Sequence, residues 1–99
     1  MKPHELASVR ATLARFPEIR EARIFGSRAM GNFKTGSDVD LALYGTGPLA
    51  CVTRISTLLN QELPLPYYFD VIDYASISNA ALRAHIDAFG VSCYVHVVP

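Results

Sequence analysis

The chain has 99 residues, of which 51% are hydrophobic, so it can bury the core of one domain but is too short for two. Nine Lys and Arg residues balance nine Asp and Glu residues, and the formal net charge is zero. This balance argues against a dedicated nucleic-acid binder, which usually carries a basic surplus, and we expect no direct nucleic-acid binding from a single domain spanning residues 1–99.

The first half of the chain predicts a helix and two strands. Apolar residues recur at helical spacing over residues 3–16, between Pro3 and Pro17. A short strand is expected at residues 22–25, followed by a glycine-rich turn and loop over residues 26–36. Residues 38–44 then predict a second strand, which ends before Gly45.

The second half predicts two helices and two more strands. Pro48 opens a helix with an apolar stripe that runs to about residue 63 and ends at Pro64. Residues 67–72 are rich in strand formers and predict a third strand. Ser76 or Ser78 is expected to cap a last helix ending near Gly90, and residues 91–98 predict a fourth strand.

The element order α-β-β-α-β-α-β predicts an α/β (α+β) fold. We expect a small mixed sheet of about four strands with helices packed mainly on one face. The sequence contains no run of about 18 apolar residues and no signal-like N-terminal segment, so we expect a cytoplasmic protein without a membrane span. Cys51 and Cys93 lie in apolar settings without metal-ligand spacing, and we interpret them as reduced core residues.

Three carboxylates carry the chemical signal. Asp38 and Asp40 are two residues apart at the start of a strand, so their side chains point to the same face. At a separation of about 4 Å and an effective dielectric near 20, two such charges repel by about 4 kcal/mol. A divalent cation relieves that repulsion, and magnesium prefers hard oxygen ligands of this kind.

Asp70 is the third acid, and it interrupts an apolar strand where a carboxylate is otherwise unfavourable. If its strand lies beside the strand of Asp40, the three acids form one cluster. Asp73 is three residues further on and would face the opposite side, so we leave it out of the site.

A phosphate-binding turn is expected directly after the first strand. Gly26 allows close approach of the backbone, and backbone N–H groups with the Ser27 hydroxyl are suited to phosphate oxygens. Arg28 or Lys34 could add positive charge, although Arg28 could equally form a salt bridge. The histidines at positions 4, 85 and 96 lack ligand spacing, and we interpret them as surface or structural residues.

Each of these features is common, but their order is specific, and it resembles a known family. Gly26-Ser27, ten intervening residues and Asp38-Val39-Asp40, followed by Asp70 between apolar neighbours, are similar to the signature of the DNA polymerase β-like nucleotidyltransferases. The short chain most resembles the minimal nucleotidyltransferases (MNT), which act as antitoxins in HEPN/MNT toxin–antitoxin pairs.

The resemblance implies a Mg²⁺-dependent transfer of AMP from ATP to a hydroxyl, with a tyrosine of a partner HEPN toxin as acceptor in a type VII-like system. It implies that Asp38, Asp40 and Asp70 hold two Mg²⁺ ions and are catalytic. Nucleotide-binding roles are implied for Gly26 and Ser27 and are also predicted for Arg28 and Ser37. Two alternatives stay open: a non-catalytic antitoxin that neutralises its partner by binding, and a small-molecule transferase of the aminoglycoside type.

Overall fold

The structure, a computed structural model, describes residues 1–26, 38–45 and 48–97. The helices in these ranges are α1 (Pro3–Leu13), α2 (Pro48–Thr57) and α3 (Ala80–Phe89). The strands are β1 (Ile19–Phe25), β2 (Val39–Gly45), β3 (Phe69–Asp73) and β4 (Val91–Val95). The predicted element order is confirmed.

The four strands form one mixed sheet in the order β3-β2-β1-β4. Strand β1 runs antiparallel to both β2 and β4, whereas β2 and β3 are parallel. Parallel neighbours need a crossover connection, and α2 lies in the segment that joins β2 to β3. The predicted α+β fold with a mixed sheet is therefore confirmed.

The two faces of the sheet bury different helices. On β2, the fully buried Val39, Leu41 and Leu43 belong to the same cluster as the apolar residues of α1 and α2. The alternate residue Ala42 instead clusters with Phe25 of β1 and with Ile86 of α3. Helices α1 and α2 thus share one face, as expected for most of the helices, and α3 packs on the other. Asp40 and Ala42 are two residues apart on β2, so Asp40 points to the α3 face.

Several element boundaries differ from those predicted. Helix α3 is capped by Asn79, whose side-chain oxygen accepts a hydrogen bond from the N–H of Leu82 at 3.1 Å. The prediction of Ser76 or Ser78 as the cap was wrong. The Ser76 hydroxyl donates instead to a carboxylate oxygen of Asp73 at 2.7 Å. Asp73 thus has a structural role, consistent with its exclusion from the site.

The predicted helix over residues 48–63 also changes its form before it ends. Regular α-helix stops at Thr57, and a π-helical turn continues at Leu58–Glu62. The N–H of Leu63 donates to the carbonyl of Leu58 at 3.1 Å, which is the wider hydrogen bond of such a turn. Asn60 lies in this turn and contacts β3.

Both cysteines are free thiols and are buried, as predicted. Cys51 lies in α2 and Cys93 in β4, and both belong to the core cluster on the α1–α2 face. Within the described ranges, none of the helices has the length and the apolar character needed to cross a bilayer.

Candidate active site

Two of the predicted acids lie side by side on neighbouring strands. In the parallel pairing of β2 with β3, Asp40 is the register partner of Asp70. The pairing begins one residue earlier, where the N–H of Val39 donates to the carbonyl of Tyr68 at 2.8 Å. Because register partners project to the same face, the sheet itself brings these two carboxylates together. The sequence predicted a cluster of acids only if these two strands were neighbours, and the pairing of β2 with β3 makes them so.

Asp38 precedes β2 by one residue and is exposed, as is Asp70, whereas Asp40 is half-buried. Partial burial raises the pKa of Asp40 above its ordinary value, and the nearby charges of Asp70 and Asp38 raise it further. The three acids therefore interact through their charges. His85 acts in the opposite direction and lowers the pKa of Asp40.

Gly26 ends β1 in a conformation that favours glycine. Its φ angle is +75°, in the left-handed region. A Cβ atom added here would clash with Oδ2 of Asp40, so the carboxylate lies directly against the glycine backbone. Register pairing of Phe25 with Asp40 explains this proximity, since Gly26 directly follows Phe25, the last residue of β1. Glycine is needed at this position for both the turn and the space it leaves for Asp40.

His85, on α3, completes the described part of the site. Its Nε2 accepts a hydrogen bond from the backbone N–H of Gly26 at 3.1 Å, across a sequence separation of 59 residues. The imidazole contacts two aromatic rings, with its centroid 6.3 Å from that of Phe25 and 5.4 Å from that of Phe89. Because the Gly26 N–H is already paired, Gly26 contributes backbone shape and space to the site in this conformation.

The position of His85 was not foreseen from the sequence. The sequence interpretation made it a surface or structural residue, and no spacing rule links it to Gly26. The only local signal is that His85 immediately precedes Ile86, the buried residue of α3 that packs with Phe25. Because Ile86 packs against Phe25, its neighbour His85 can reach the end of β1. That position can be inferred only when the sheet order is known.

The donor chemistry fits a magnesium site. All three acids offer hard oxygen ligands, and a divalent cation would relieve the repulsion that raises the pKa of Asp40. Across the part of the chain that the structure describes, no three His, Cys, Asp or Glu side chains already converge closely enough to hold a metal ion. The acids are thus near enough to interact by charge, and a shared metal site requires their side chains to turn towards one point.

The remaining predicted residues, Ser27, Arg28 and Ser37, lie outside the described residues, as does Lys34. Their predicted nucleotide contacts stay predictions. The described site therefore consists of Gly26, Asp38, Asp40, Asp70 and His85.

Carboxylates on adjoining strands next to a glycine turn are the arrangement that the resemblance to nucleotidyltransferases led us to expect. A family model described as "Polymerase beta, Nucleotidyltransferase" matches residues 8–95, which is most of the chain. The chain belongs to this nucleotidyltransferase family. A search of curated proteins finds no significant match.

Solved structures share the fold at low sequence identity. One chain of a toxin–antitoxin crystal structure with AMP-PNP is 16% identical, with a TM-score of 0.72 over 97% of this chain and 75% of that chain. A chain of the toxin–antitoxin complex MntA-HepT is 15% identical, with a TM-score of 0.71 over 96% and 74%. A putative nucleotidyltransferase from Sulfolobus solfataricus is 22% identical, with a TM-score of 0.51 over 89% and 76%. In fold, the chain is thus similar to chains of toxin–antitoxin complexes and to a putative nucleotidyltransferase.

Proposed function

We propose that this protein is a Mg²⁺-dependent nucleotidyltransferase that transfers AMP from ATP to a tyrosine hydroxyl of a partner HEPN toxin, and so acts as an antitoxin. The pairing of Asp40 with Asp70 across β2 and β3 is the observation that carries this proposal. Membership of the nucleotidyltransferase family supports the reaction type. The similar fold crystallised with AMP-PNP, an analogue of ATP, supports the nucleotide, and MntA-HepT supports the kind of partner.

The reaction joins an acceptor hydroxyl to the α-phosphorus of ATP. The acceptor oxygen forms the new bond, the bond between the α-phosphorus and the bridging oxygen breaks, and pyrophosphate leaves. Asp38, Asp40 and Asp70 would hold Mg²⁺, which stabilises charge on the attacking and leaving oxygens when it is bound. Asp70, which is exposed on the edge strand, would accept the proton of the hydroxyl.

Gly26 and the residues after it would position the triphosphate. The glycine turn keeps the backbone close to Asp40, so a phosphate held after Gly26 lies beside the carboxylate that binds its counter-ion. Most of the rate enhancement then comes from positioning and electrostatic stabilisation. Nucleotide preference for ATP is part of the proposal.

A non-catalytic antitoxin is the second candidate function. The similar chain in MntA-HepT belongs to a toxin–antitoxin complex, which is compatible with neutralisation by binding alone. In that case the protein would neutralise the toxin by covering its surface, and the acids would be dispensable for protection.

One experiment separates the two functions. The purified chain is incubated with labelled ATP, Mg²⁺ and the protein encoded by its neighbouring gene, and the intact mass of both proteins is recorded. We expect the partner to gain one or more AMP units. The Asp38→Ala/Asp40→Ala variant should give no transfer, while the matched control Glu62→Gln, which changes an exposed acid on the π-helical turn, should behave as the parent does.

The same variants are then tested for protection of cells against the partner. Loss of transfer together with loss of protection supports the enzyme. A stable complex with no mass change, and protection that survives Asp40→Asn, supports the binding function and contradicts the proposed transfer.

A further inference from the structure

We propose that His85 is a positioning residue of the nucleotide site, which fixes the Gly26 turn against Asp40 through the hydrogen bond that its Nε2 accepts from the Gly26 N–H. This inference rests on the proposed nucleotidyl transfer. It adds a residue on α3 to a site that the sequence signature places entirely on β1, β2, β3 and the segment between β1 and β2.

The hydrogen bond determines the state of the imidazole. A backbone N–H only donates, so Nε2 must present its lone pair, and a neutral ring then carries its proton on Nδ1. The ring contacts the aromatic rings of Phe25 and Phe89, which favour this orientation. Its acceptor atom is therefore fixed by packing before any ligand binds.

The Gly26 backbone needs such support because it has few constraints of its own. Glycine loses more conformational freedom on folding than any other residue, and the positive φ angle of Gly26 is not enforced by a side chain. Yet the Gly26 backbone lies against Oδ2 of Asp40, so a small rotation of the turn would change the space available to that carboxylate. The hydrogen bond to His85 holds the turn where Asp40 requires it.

Packing of α3 makes this support rigid. Ile86 is fully buried and clusters with Phe25 and Ala42, which lie one residue from Gly26 on β1 and two residues from Asp40 on β2. Helix α3 is thereby packed against β1 and β2, two of the three strands of the site, and His85 directly precedes Ile86 on this helix. One helix, α3, thus helps to position both Gly26 and the neighbouring Asp40.

The test compares His85→Leu, His85→Gln and His85→Asn in the full chain, with His4→Leu as the matched control at an exposed histidine on α1. Glutamine places an oxygen acceptor near the position of Nε2, asparagine is too short, and leucine has no acceptor. Binding of AMP-PNP with Mg²⁺ is measured by calorimetry. We expect the dissociation constant to rise by about three- to tenfold in the leucine and asparagine variants, the range that one neutral hydrogen bond supports. The glutamine and His4→Leu variants should bind as the parent does.

A spectroscopic measurement separates positioning from general stability. In the parent, the ¹⁵N shifts of His85 should report the tautomer with its proton on Nδ1, and the Gly26 amide proton should move upfield in His85→Leu. Rescue of nucleotide binding by glutamine, but not by asparagine, is not expected of a residue that only fills space. If the Gly26 amide proton moves upfield in His85→Leu, so that the hydrogen bond is lost, and the variant still binds AMP-PNP as the parent does, the positioning role is overturned while the proposed transfer stands.

Failure of the proposed function gives a different result. If the parent itself does not bind AMP-PNP with Mg²⁺, the nucleotidyl transfer is contradicted and the role of His85 in it falls with it. If His85→Leu does not fold, the comparison of the glutamine and asparagine variants decides the question, because both retain a polar side chain at the same position.

Discussion

The side-chain amide of Asn60 pairs with both main-chain groups of Phe69. Its Oδ1 accepts from the Phe69 N–H at 2.6 Å, and its Nδ2 donates to the Phe69 carbonyl at 2.9 Å. Strand β3 lies at one edge of the sheet, so the outward main-chain groups of Phe69 have no neighbouring strand. Asn60 takes the place of that strand one residue before Asp70, and the π-helical turn thereby supports the strand that carries the third acid.

We expect Asn60→Ala to destabilise the protein by about 1–3 kcal/mol, because it leaves the N–H and the carbonyl of Phe69 without their partner. Asn60→Asp keeps the acceptor but turns a carboxylate oxygen towards the Phe69 carbonyl, so it should destabilise the protein as well. Urea denaturation measures both free energies of unfolding. The exposed neighbour Gln61, changed to Ala, is the control, and an equal loss in Gln61→Ala would contradict the role of Asn60.

The sequence predicted the element order and the strands that carry Asp40 and Asp70, because helical and strand periodicities are local. Asp38, expected to open the second strand, lies one residue before it. It also placed Asp73 outside the site, where its carboxylate accepts from the Ala75 N–H at 3.2 Å. It did not predict the cap at Asn79, because Ser76, Ser78 and Asn79 all precede α3 and each can cap a helix. Only the structure shows that the Ser76 hydroxyl is bonded to Asp73 instead.

The contacts that hold the site together could not be predicted from the sequence for a different reason. Asn60 with Phe69 and His85 with Gly26 join residues on separate elements, and they depend on which strand lies at the edge and on which face α3 packs. Neither pair has a characteristic spacing. Periodicity identifies the buried side of an element, but the lateral order of the strands decides which polar residues meet.

Asp40→Asn should stabilise the metal-free protein at neutral pH. The pKa of Asp40 is raised in the folded state, so the folded protein binds its proton more tightly than the unfolded chain does. Stability therefore falls as pH rises from the unfolded value, 3.8, through the higher folded value, and the deficit persists above it. Because the group is largely solvent-screened, we expect an increase in Tm of only about 1–4 °C on substitution.

Thermal melts between about pH 3.5 and 7.5, in EDTA and in Mg²⁺, check this prediction. As pH rises across this range, the Tm of the parent should fall relative to that of Asp40→Asn. Mg²⁺ should raise the Tm of the parent more than that of the variant. Glu62→Gln serves as the control acid. A variant that is less stable than the parent in EDTA at pH 7 would contradict a raised pKa for Asp40.

Gly26→Ala should destabilise the fold and disturb Asp40 at the same time. The left-handed conformation costs an L-residue roughly 1–2 kcal/mol, and the added Cβ meets Oδ2 of Asp40. Asn tolerates positive φ, so Gly26→Asn should recover part of the first cost and none of the second. Nucleotide binding should fall in both variants.

A double-mutant cycle isolates the contact with Asp40. In an Asp40→Ala background the carboxylate is absent, and the cost of Gly26→Ala should decrease by about 1 kcal/mol, within the range seen for residues in contact. The free energies of unfolding from urea denaturation give the coupling. Additive effects would mean that backbone strain alone accounts for the glycine.

The Cys93 thiol should be unreactive in the folded protein. Burial raises its pKa to about 11, and its Sγ donates to the carbonyl of Ala22 on β1 at 3.4 Å. At pH 8 only about one thiol in a thousand would be ionised, and the thiolate is the reactive form. In a Cys51→Ser variant, which leaves Cys93 as the single cysteine, disulfide exchange with a chromogenic reagent at pH 8 should be roughly two hundredfold slower in buffer than in urea, where an ordinary thiol is about one quarter ionised. Rapid reaction of the folded variant would show that β4 opens away from β1 far more readily than its burial in the core indicates, and the rate measured across urea concentrations would report that opening directly.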